Sequence, residues 1–193
     1  MIFLDIGGLS RSLEDRVQEG TRIDWFRLAK HLAGNRRLKG AVVFDRAPGA
    51  EPGNPKRRFH DHLRYSGFKV VVRPERTEDR LSPGELPVAF ASELLAAAYQ
   101  DRYDVAVLVT LDRAIMPAIE RVAQEGKNIE IAGLAGELNP GMRRLADRVH
   151  HIDDLPVLEI RPRLPSGNGD SFTREEESEE QPVGDVLQRE ARV

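Results

Sequence analysis

Short apolar runs alternate with amphipathic stretches along most of this chain. The runs lie at residues 2–6, 40–44, 68–72, 105–109 and 128–132, and a last strand is predicted over residues 148–152. Runs of this length, rich in valine and isoleucine, are typical of strands that are buried on both faces. Because helical patterns separate them, the sequence predicts an α/β fold with a parallel sheet of about five strands and helices on both of its faces.

The helical stretches carry their own start and stop signals. Asp24 is a predicted N-cap, the apolar residues Trp25, Leu28 and Leu32 follow at helical spacing, and Gly34 ends the pattern. A second helix is predicted after the loop at residues 46–58, and a third runs to about residue 100. Near the start, Gly7 and Gly8 break the first strand and let the backbone either turn tightly or approach a ligand closely. Residues 10–21 are predicted to be a loop or a short helix.

Composition excludes several classes of protein. The 193 residues are 40% hydrophobic and 32% charged, with no cysteine. Disulfides, thiolate metal sites and a cysteine nucleophile are therefore excluded. The chain opens without a basic segment, and no apolar run reaches the roughly 20 residues that a membrane span needs. We therefore expect no membrane segment and a cytoplasmic location, while the oligomeric state is left open.

The C-terminal segment differs from the rest of the chain. Residues 162–193 hold four arginines and eight acidic residues, including the acidic run at 175–180. Such a composition buries too little apolar surface to fold alone. We predict a folded domain over residues 1–160 and a disordered acidic tail over residues 161–193, which is a candidate for binding a protein partner.

Three aspartates follow three predicted strands: Asp5, Asp45 and Asp112. The carboxyl ends of parallel strands meet at one edge of a sheet, where ligands bind in open α/β folds. Clustered carboxylates are the hard oxygen ligands that Mg²⁺ and Mn²⁺ prefer, and such ions activate water and stabilise phosphoryl transition states. The alternative for each aspartate is a structural cap or turn residue.

A basic segment follows the second of these aspartates. Lys56, Arg57, Arg58 and Arg64 lie at the start and along one predicted helix, beside a loop rich in proline and glycine. These side chains are candidates for contacts with the phosphates of RNA. The alternative interpretation is a solvated helix face.

The stretch from Tyr103 to Pro117 reads as a buried strand that turns at Asp112 into a helical pattern. It resembles the "Y-D-x-x-x-L-x-S-G-D-x-D-F-x-P" segment of NYN domains, which belong to the PIN-like nuclease superfamily. The opening residues, with Asp5 before glycines, resemble that family's "D-G-x-N" segment. Over about 155 residues, the resemblance implies a Rossmann-type PIN-like fold, metal-dependent cleavage of RNA by Mg²⁺ or Mn²⁺, and Asp5 and Asp112 as catalytic metal ligands.

The departures from the family pattern fall on its acidic site. Gly8 stands where the family has asparagine, and Ala114 stands where it has a second aspartate. The helix that the family opens with a Lys-x-x-Asp pattern lacks both residues here, and Glu85 or Glu93 is the candidate replacement. Two of about four expected acids are therefore matched, which leaves the enzymatic activity open and indicates a partly degenerate site.

Three hypotheses follow for the function. The first is a metal-dependent ribonuclease of reduced activity, in which Asp45, Glu85 or Glu93 supports Asp5 and Asp112. The second is a catalytically inactive NYN domain that binds RNA through the basic segment. The third is a protein-interaction module that engages a basic partner through the acidic tail.

Overall fold

The computed structural model of the protein describes residues 1–14, 21–48, 53–73, 84–154 and 158–160. Six parallel strands form the central sheet in the order β4-β3-β1-β5-β6-β7. These strands are β1 (Ile2–Asp5), β3 (Ala41–Arg46), β4 (Lys69–Arg73), β5 (Val105–Val109), β6 (Asn128–Gly133) and β7 (Arg148–His151). The predicted α/β class is confirmed, and the sheet has six strands because the last predicted strand also joins it.

Helices cover both faces of this sheet. One face packs against α1 (Ile6–Glu14), α2 (Trp25–Ala33) and α3 (Pro55–Tyr65), and the other packs against α4 (Glu85–Tyr99), α5 (Met116–Gln124) and α6 (Pro140–Leu145). The alternation of side chains along each strand separates the two cores. In β1, Ile2 and Leu4 belong to the core under the first three helices, whereas Phe3 belongs to the other core.

Aromatic packing organises the core on the α4 side. The ring centroid of Phe3 lies 6.0 Å from that of Phe90 and 5.8 Å from that of Tyr103. The Tyr103 hydroxyl donates a hydrogen bond to the Leu94 carbonyl at 3.0 Å, so its polar end is satisfied inside the protein. Full burial of a phenylalanine such as Phe3 contributes about 2 to 3 kcal/mol to stability, and it ties β1 to α4.

The first helix begins at the glycine pair that the sequence predicts to end the first strand. Helix α1 starts at Ile6 and contains both Gly7 and Gly8, so the pair lies in a helix rather than in a tight turn. The other predicted alternative, close approach of the backbone to a ligand, stays a prediction. Each glycine costs a helix about 1 kcal/mol relative to alanine. Burial of Ile6, Leu9 and Leu13 at helical spacing offsets that cost, and the sequence prediction did not weigh it.

Local chemistry fixes the starts of α2 and α3. The Asp24 carboxylate accepts a hydrogen bond from the Arg27 N–H at 2.9 Å, as the sequence predicts. The Asn54 side chain accepts from the Lys56 N–H at 2.9 Å, and Pro55 occupies the first turn. The Asn54 cap, together with Pro55, fixes where α3 begins.

A small antiparallel pair lies apart from the main sheet. Strand β2 (Thr21–Ile23) pairs with β8 (Leu158–Ile160). Residues 161–193 lie outside the described residues, so the acidic tail and its partner stay predictions. Within the described ranges, no helix is both long and apolar enough to cross a membrane.

The direction in which successive strands are added to the sheet reverses between β1 and β5, and this reversal is the topological switch point of the fold. From β1 the chain moves outward through β3 to β4, then returns to β5 on the other side of β1. The helices after β1 and β4 therefore lie on opposite faces of the sheet. In such sheets the crevice at the carboxyl ends of the two central strands is where ligands bind. Asp5 ends one of these strands, and Asp112 follows the other by three residues.

Candidate acidic site at the carboxyl edge of the sheet

Asp5 is a half-buried carboxylate at the switch point. Its Oδ1 accepts a hydrogen bond from the Gly8 N–H at 3.0 Å. Burial raises the pKa of Asp5; the Gly8 hydrogen bond and the charge of Arg11 oppose this, and the neighbouring carboxylates of Asp112 and Asp45 raise the pKa further. The net effect is a raised pKa, because ionised Asp5 lies among other negative charges in a poorly solvated place.

Asp112 both caps a helix and faces the same edge. Its Oδ1 accepts from the Ala114 N–H at 2.8 Å and so caps the 3₁₀ helix Arg113–Ile115. Its own N–H donates to the hydroxyl of buried Thr110 at 3.1 Å. Oδ2 of Asp112 has no partner among the described residues. The capping role predicted as one alternative is therefore present, and the cap occupies only one of the two carboxylate oxygens.

Asp45 is the most enclosed of the three acids, with 3% of its surface exposed. Its Oδ1 lies 3.0 Å from the Lys56 ammonium and accepts from the Arg46 N–H at 2.8 Å. Its Oδ2 lies 2.8 Å from Nε2 of His60, which is itself buried. Both oxygens of Asp45 are therefore engaged by groups of the protein.

The two glycines of α1 leave room for the neighbouring carboxylates. A Cβ atom on Gly7 would lie 3.0 Å from Oδ1 of Asp45 and 4.0 Å from Oδ1 of Asp5. A Cβ atom on Gly8 would lie 2.7 Å from Oδ2 of Asp5, closer than real contacts allow. The Asp5 carboxylate therefore fits against Gly8, and the Asp45 carboxylate against Gly7, because neither position carries a side chain.

The two glutamates proposed as supporting acids lie in different places. Glu93 forms an ion pair with Lys69 at 2.6 Å, and Lys69 pairs with Val42 near the amino end of the strands. Glu93 is therefore not brought together with Asp5. Glu85 is the exposed first residue of α4, about two turns nearer the carboxyl edge.

The four basic candidates also separate. Of the four, only Lys56 forms an ion pair with one of the three aspartates at the carboxyl edge, namely Asp45. Arg57 is exposed in the first turn of α3, and Arg58 is exposed beside it, where it donates to the Gly53 carbonyl at 3.3 Å. Arg64 lies near the other end of α3 and pairs with Asp61 at 2.7 Å. Of these four candidates, Arg57 and Arg58 are therefore the exposed cations at the entrance of α3.

The oxygen donors fit a hydrated ion better than an enclosed one. Among the described residues, no three histidine, aspartate or glutamate side chains group closely enough to hold a metal ion. Asp5 and Asp112 each keep an oxygen without a hydrogen-bond donor among those residues, while Asp45 does not. Mg²⁺ commonly uses one or two carboxylates and fills its other positions with water and substrate phosphate oxygens. Asp5 and Asp112 meet that requirement.

Sequence reasoning missed the partners of Asp45. The sequence grouped Lys56 with candidate RNA-binding cations and did not single out His60, but both contact Asp45. The four-residue spacing of Lys56 and His60 puts them on one helix face and was the signal available. Which aspartate they would meet depends on the pairing of β3 with its neighbours, which the sequence does not state.

These features define a Rossmann-type α/β domain of the PIN-like kind, with acids at the switch point of its parallel sheet. The NYN domain family model matches residues 1–153, and the chain belongs to that family. NYN domains are nuclease-like and related to RNA.

Comparison with known proteins adds support for the fold. A solved structure of a protein of unknown function from Vibrio parahaemolyticus is similar, with a TM-score of 0.65 and 22% sequence identity. The match covers 79% of this chain and 91% of that one. At this identity the similarity shows the fold alone. No curated protein matches the sequence.

Proposed function

We propose that this protein is a divalent-metal-dependent ribonuclease of low activity, in which Asp5 and Asp112 hold a Mg²⁺ or Mn²⁺ ion. The observation that carries the proposal is the position of these two acids at the switch point, each with a carboxylate oxygen that no hydrogen-bond donor of the described residues engages. The raised pKa of Asp5 supports it, because a cation beside Asp5 would relieve the repulsion from Asp112 and Asp45.

On this proposal, the ion, the two aspartates and the arginines of α3 have separate roles. The ion, when bound, supplies charge stabilisation and an activated water at the scissile phosphodiester. Asp112 is held in place by its cap to Ala114, and Asp5 by its bond to Gly8. Arg57 and Arg58, at the entrance of α3, are proposed to hold the RNA backbone near these acids. Only two carboxylates bind the ion, which is the reason for expecting a low rate.

The test is RNA cleavage with matched acid variants. Labelled single-stranded and structured RNA are incubated with the protein in Mn²⁺, in Mg²⁺ and in EDTA. We expect slow cleavage that needs the metal and falls at least roughly tenfold in Asp112→Asn. Asp104→Asn is the matched control, because the exposed Asp104 lies just before β5, at the opposite end from Asp112. Cleavage that survives EDTA, or that is equal in the two variants, would contradict the proposal.

The engagement of Asp45 favours a second candidate function. With Lys56 and His60 on its oxygens, Asp45 is withdrawn from metal binding, which suits a domain that binds RNA without cutting it. RNA affinity would then persist in EDTA and fall steeply with salt. Arg57→Gln with Arg58→Gln should weaken binding and flatten the salt dependence, while Arg121→Gln on α5 should leave both unchanged. Affinity that does not depend on salt would exclude this candidate.

A further inference from the structure

Arg11 lies on the face of α1 that meets the acidic residues. A Cβ atom on Gly7 would lie 3.0 Å from Oδ1 of Asp45. A Cβ atom on Gly8 would lie 2.7 Å from Oδ2 of Asp5, so this face of the helix meets both carboxylates. Arg11 follows Gly7 by four residues and Gly8 by three, which places it one turn further along the same face. Helical side chains lean towards the N-terminus of their helix, and this direction leads from Arg11 back towards the two glycines.

The positive charge of Arg11 acts on Asp5. Burial is the largest influence on the pKa of Asp5 and raises it, whereas the Gly8 hydrogen bond and the charge of Arg11 lower it. Arg11 is exposed, and its side chain makes no hydrogen bond or ion pair with another described residue. The guanidinium is therefore near enough to influence the Asp5 carboxylate, while no described residue engages its N–H donors.

A cation beside Asp5 offsets the repulsion that RNA would meet at this edge of the sheet. RNA is a polyanion, and carboxylates repel a phosphate that approaches them. Lys56 does little to offset this repulsion, because Asp45 holds its ammonium at 3.0 Å. Arg11 carries a planar guanidinium, whose paired N–H groups match two oxygens of a phosphate. The chemistry of this place therefore suits a phosphodiester group.

We propose that Arg11 holds a phosphate of the RNA beside Asp5, through hydrogen bonds from its guanidinium to the non-bridging phosphate oxygens. The inference rests on the proposed function in that RNA is the ligand of the acidic site. It gives the basic residues different tasks. Arg11 contacts the phosphate next to the carboxylates, and Arg57 and Arg58 contact the backbone further along the RNA. The alternative is a solvated arginine that only balances the charge of Asp5.

Binding of a labelled single-stranded RNA in EDTA tests the contact without cleavage. Affinity is measured over a range of salt concentrations for the full chain and for Arg11→Gln. Loss of one phosphate contact should weaken binding and lower the slope of log affinity against log salt by roughly 0.7. Arg102→Gln is the matched control, because the exposed Arg102 precedes β5, at the opposite edge of the sheet. Equal affinities and slopes in the two variants would overturn the inference.

Cleavage in Mn²⁺ tests whether the contact lies at the reacting phosphate. At saturating RNA, we expect Arg11→Gln to slow the reaction at least roughly tenfold, because a donor to the reacting phosphate is lost. Arg57→Gln with Arg58→Gln should instead raise the RNA concentration that gives half the maximal rate. Arg11→Lys keeps the charge without the paired N–H groups, so it should recover more of the binding than of the rate. A maximal rate for Arg11→Gln within about twofold of that for Arg102→Gln would overturn the inference.

The outcomes also separate this inference from the proposed function. Metal-dependent cleavage that responds equally to Arg11→Gln and Arg102→Gln refutes the phosphate contact and leaves the nuclease proposal standing. RNA binding that weakens only in Arg11→Gln, without cleavage by the unchanged protein, supports the contact and contradicts the nuclease. An unchanged protein that neither binds nor cleaves RNA contradicts both.

Discussion

Both terminal nitrogens of Arg36 donate to the carboxylate of Glu130, each at 2.8 Å. The same guanidinium donates to the carbonyls of Leu32 and Ala33 at the end of α2. His150 Nε2 lies 2.9 Å from the second oxygen of Glu130. One arginine thus ties the end of helix α2 to strand β6, across a carboxylate whose side chain is only 9% exposed.

Removal of this arginine should destabilise the fold. Arg36→Ala leaves the buried Glu130 carboxylate without its bidentate partner, and we expect the free energy of unfolding to fall by about 2 kcal/mol. Chemical denaturation measures the loss. Arg37→Ala is the matched control, because Arg37 is the exposed neighbour and should change stability by less than about 0.5 kcal/mol. Equal losses in the two variants would refute the role assigned to Arg36.

The same carboxylate predicts a pH dependence of stability. Burial alone would raise the pKa of Glu130, but the hydrogen bonds from Arg36 and with His150 outweigh it and hold the pKa below its usual 4.5. The unfolded chain therefore binds this proton more readily than the folded protein. The stabilisation is full above a pH of about 4.5 and is lost as the pH falls through the lower folded pKa.

Comparison with Glu130→Gln measures this contribution. The difference in unfolding free energy between the two proteins should be constant near neutral pH and shrink as the solution is acidified below about 4.5. Glu120→Gln, on the exposed surface of α5, serves as the control. A difference that grows on acidification would contradict the assigned sign.

The pKa of Asp5 is raised, so its ionised carboxylate is expected to lower stability, the opposite of the effect of Glu130. The raised pKa of Asp5 means that the ionised form costs stability at neutral pH. Asp5→Asn keeps an oxygen for the Gly8 N–H and removes the charge, and we expect it to raise the melting temperature by about 3 °C at pH 7. The gain should vanish as the pH falls through the raised pKa. Thermal unfolding at several pH values checks this, and a lower melting temperature at pH 7 would count against it.

Two substitutions of Asp112 separate its capping role from its charge. Asp112→Ala removes the acceptor for the Ala114 N–H and should cost about 1 kcal/mol. Asp112→Asn keeps an acceptor oxygen and should retain most of that stability while losing Mn²⁺ affinity. Denaturation and Mn²⁺ titration of both variants give the comparison. If Asp112 only caps the helix, Mn²⁺ affinity will be unchanged in Asp112→Asn, and this result would contradict its proposed role as a metal ligand.

The sequence predicted the main sheet well because its strands are short, apolar and separated by clear helix signals. Val105–Val109 and the helix capped by Asp24 are examples. Strand β2 was missed, since three residues carry too little pattern to indicate a strand. The sequence predicted a loop or a short helix only from residue 10, and a tight turn as one alternative at Gly7 and Gly8, so the start of helix α1 was missed. The prediction weighed the glycines without the burial of Ile6 and Leu9 beside them.

The sequence predicted where the three aspartates lie, but not which of their carboxylates are engaged by other side chains. The sequence places Asp5, Asp45 and Asp112 after three strands, and all three reach the carboxyl edge. Whether each carboxylate is free or engaged depends on side chains that arrive from elsewhere in the fold. Lys56 and His60 decide this for Asp45, and the spacing of residues on α3 does not name the acid they contact.

Gly8 limits which side chains this site can accept. The Oδ2 atom of Asp5 lies 2.7 Å from where a Cβ atom on Gly8 would be. Any side chain at this position, asparagine included, would therefore push the Asp5 carboxylate out of its present place. The carboxylate of Asp5 and the residue at position 8 can only change together.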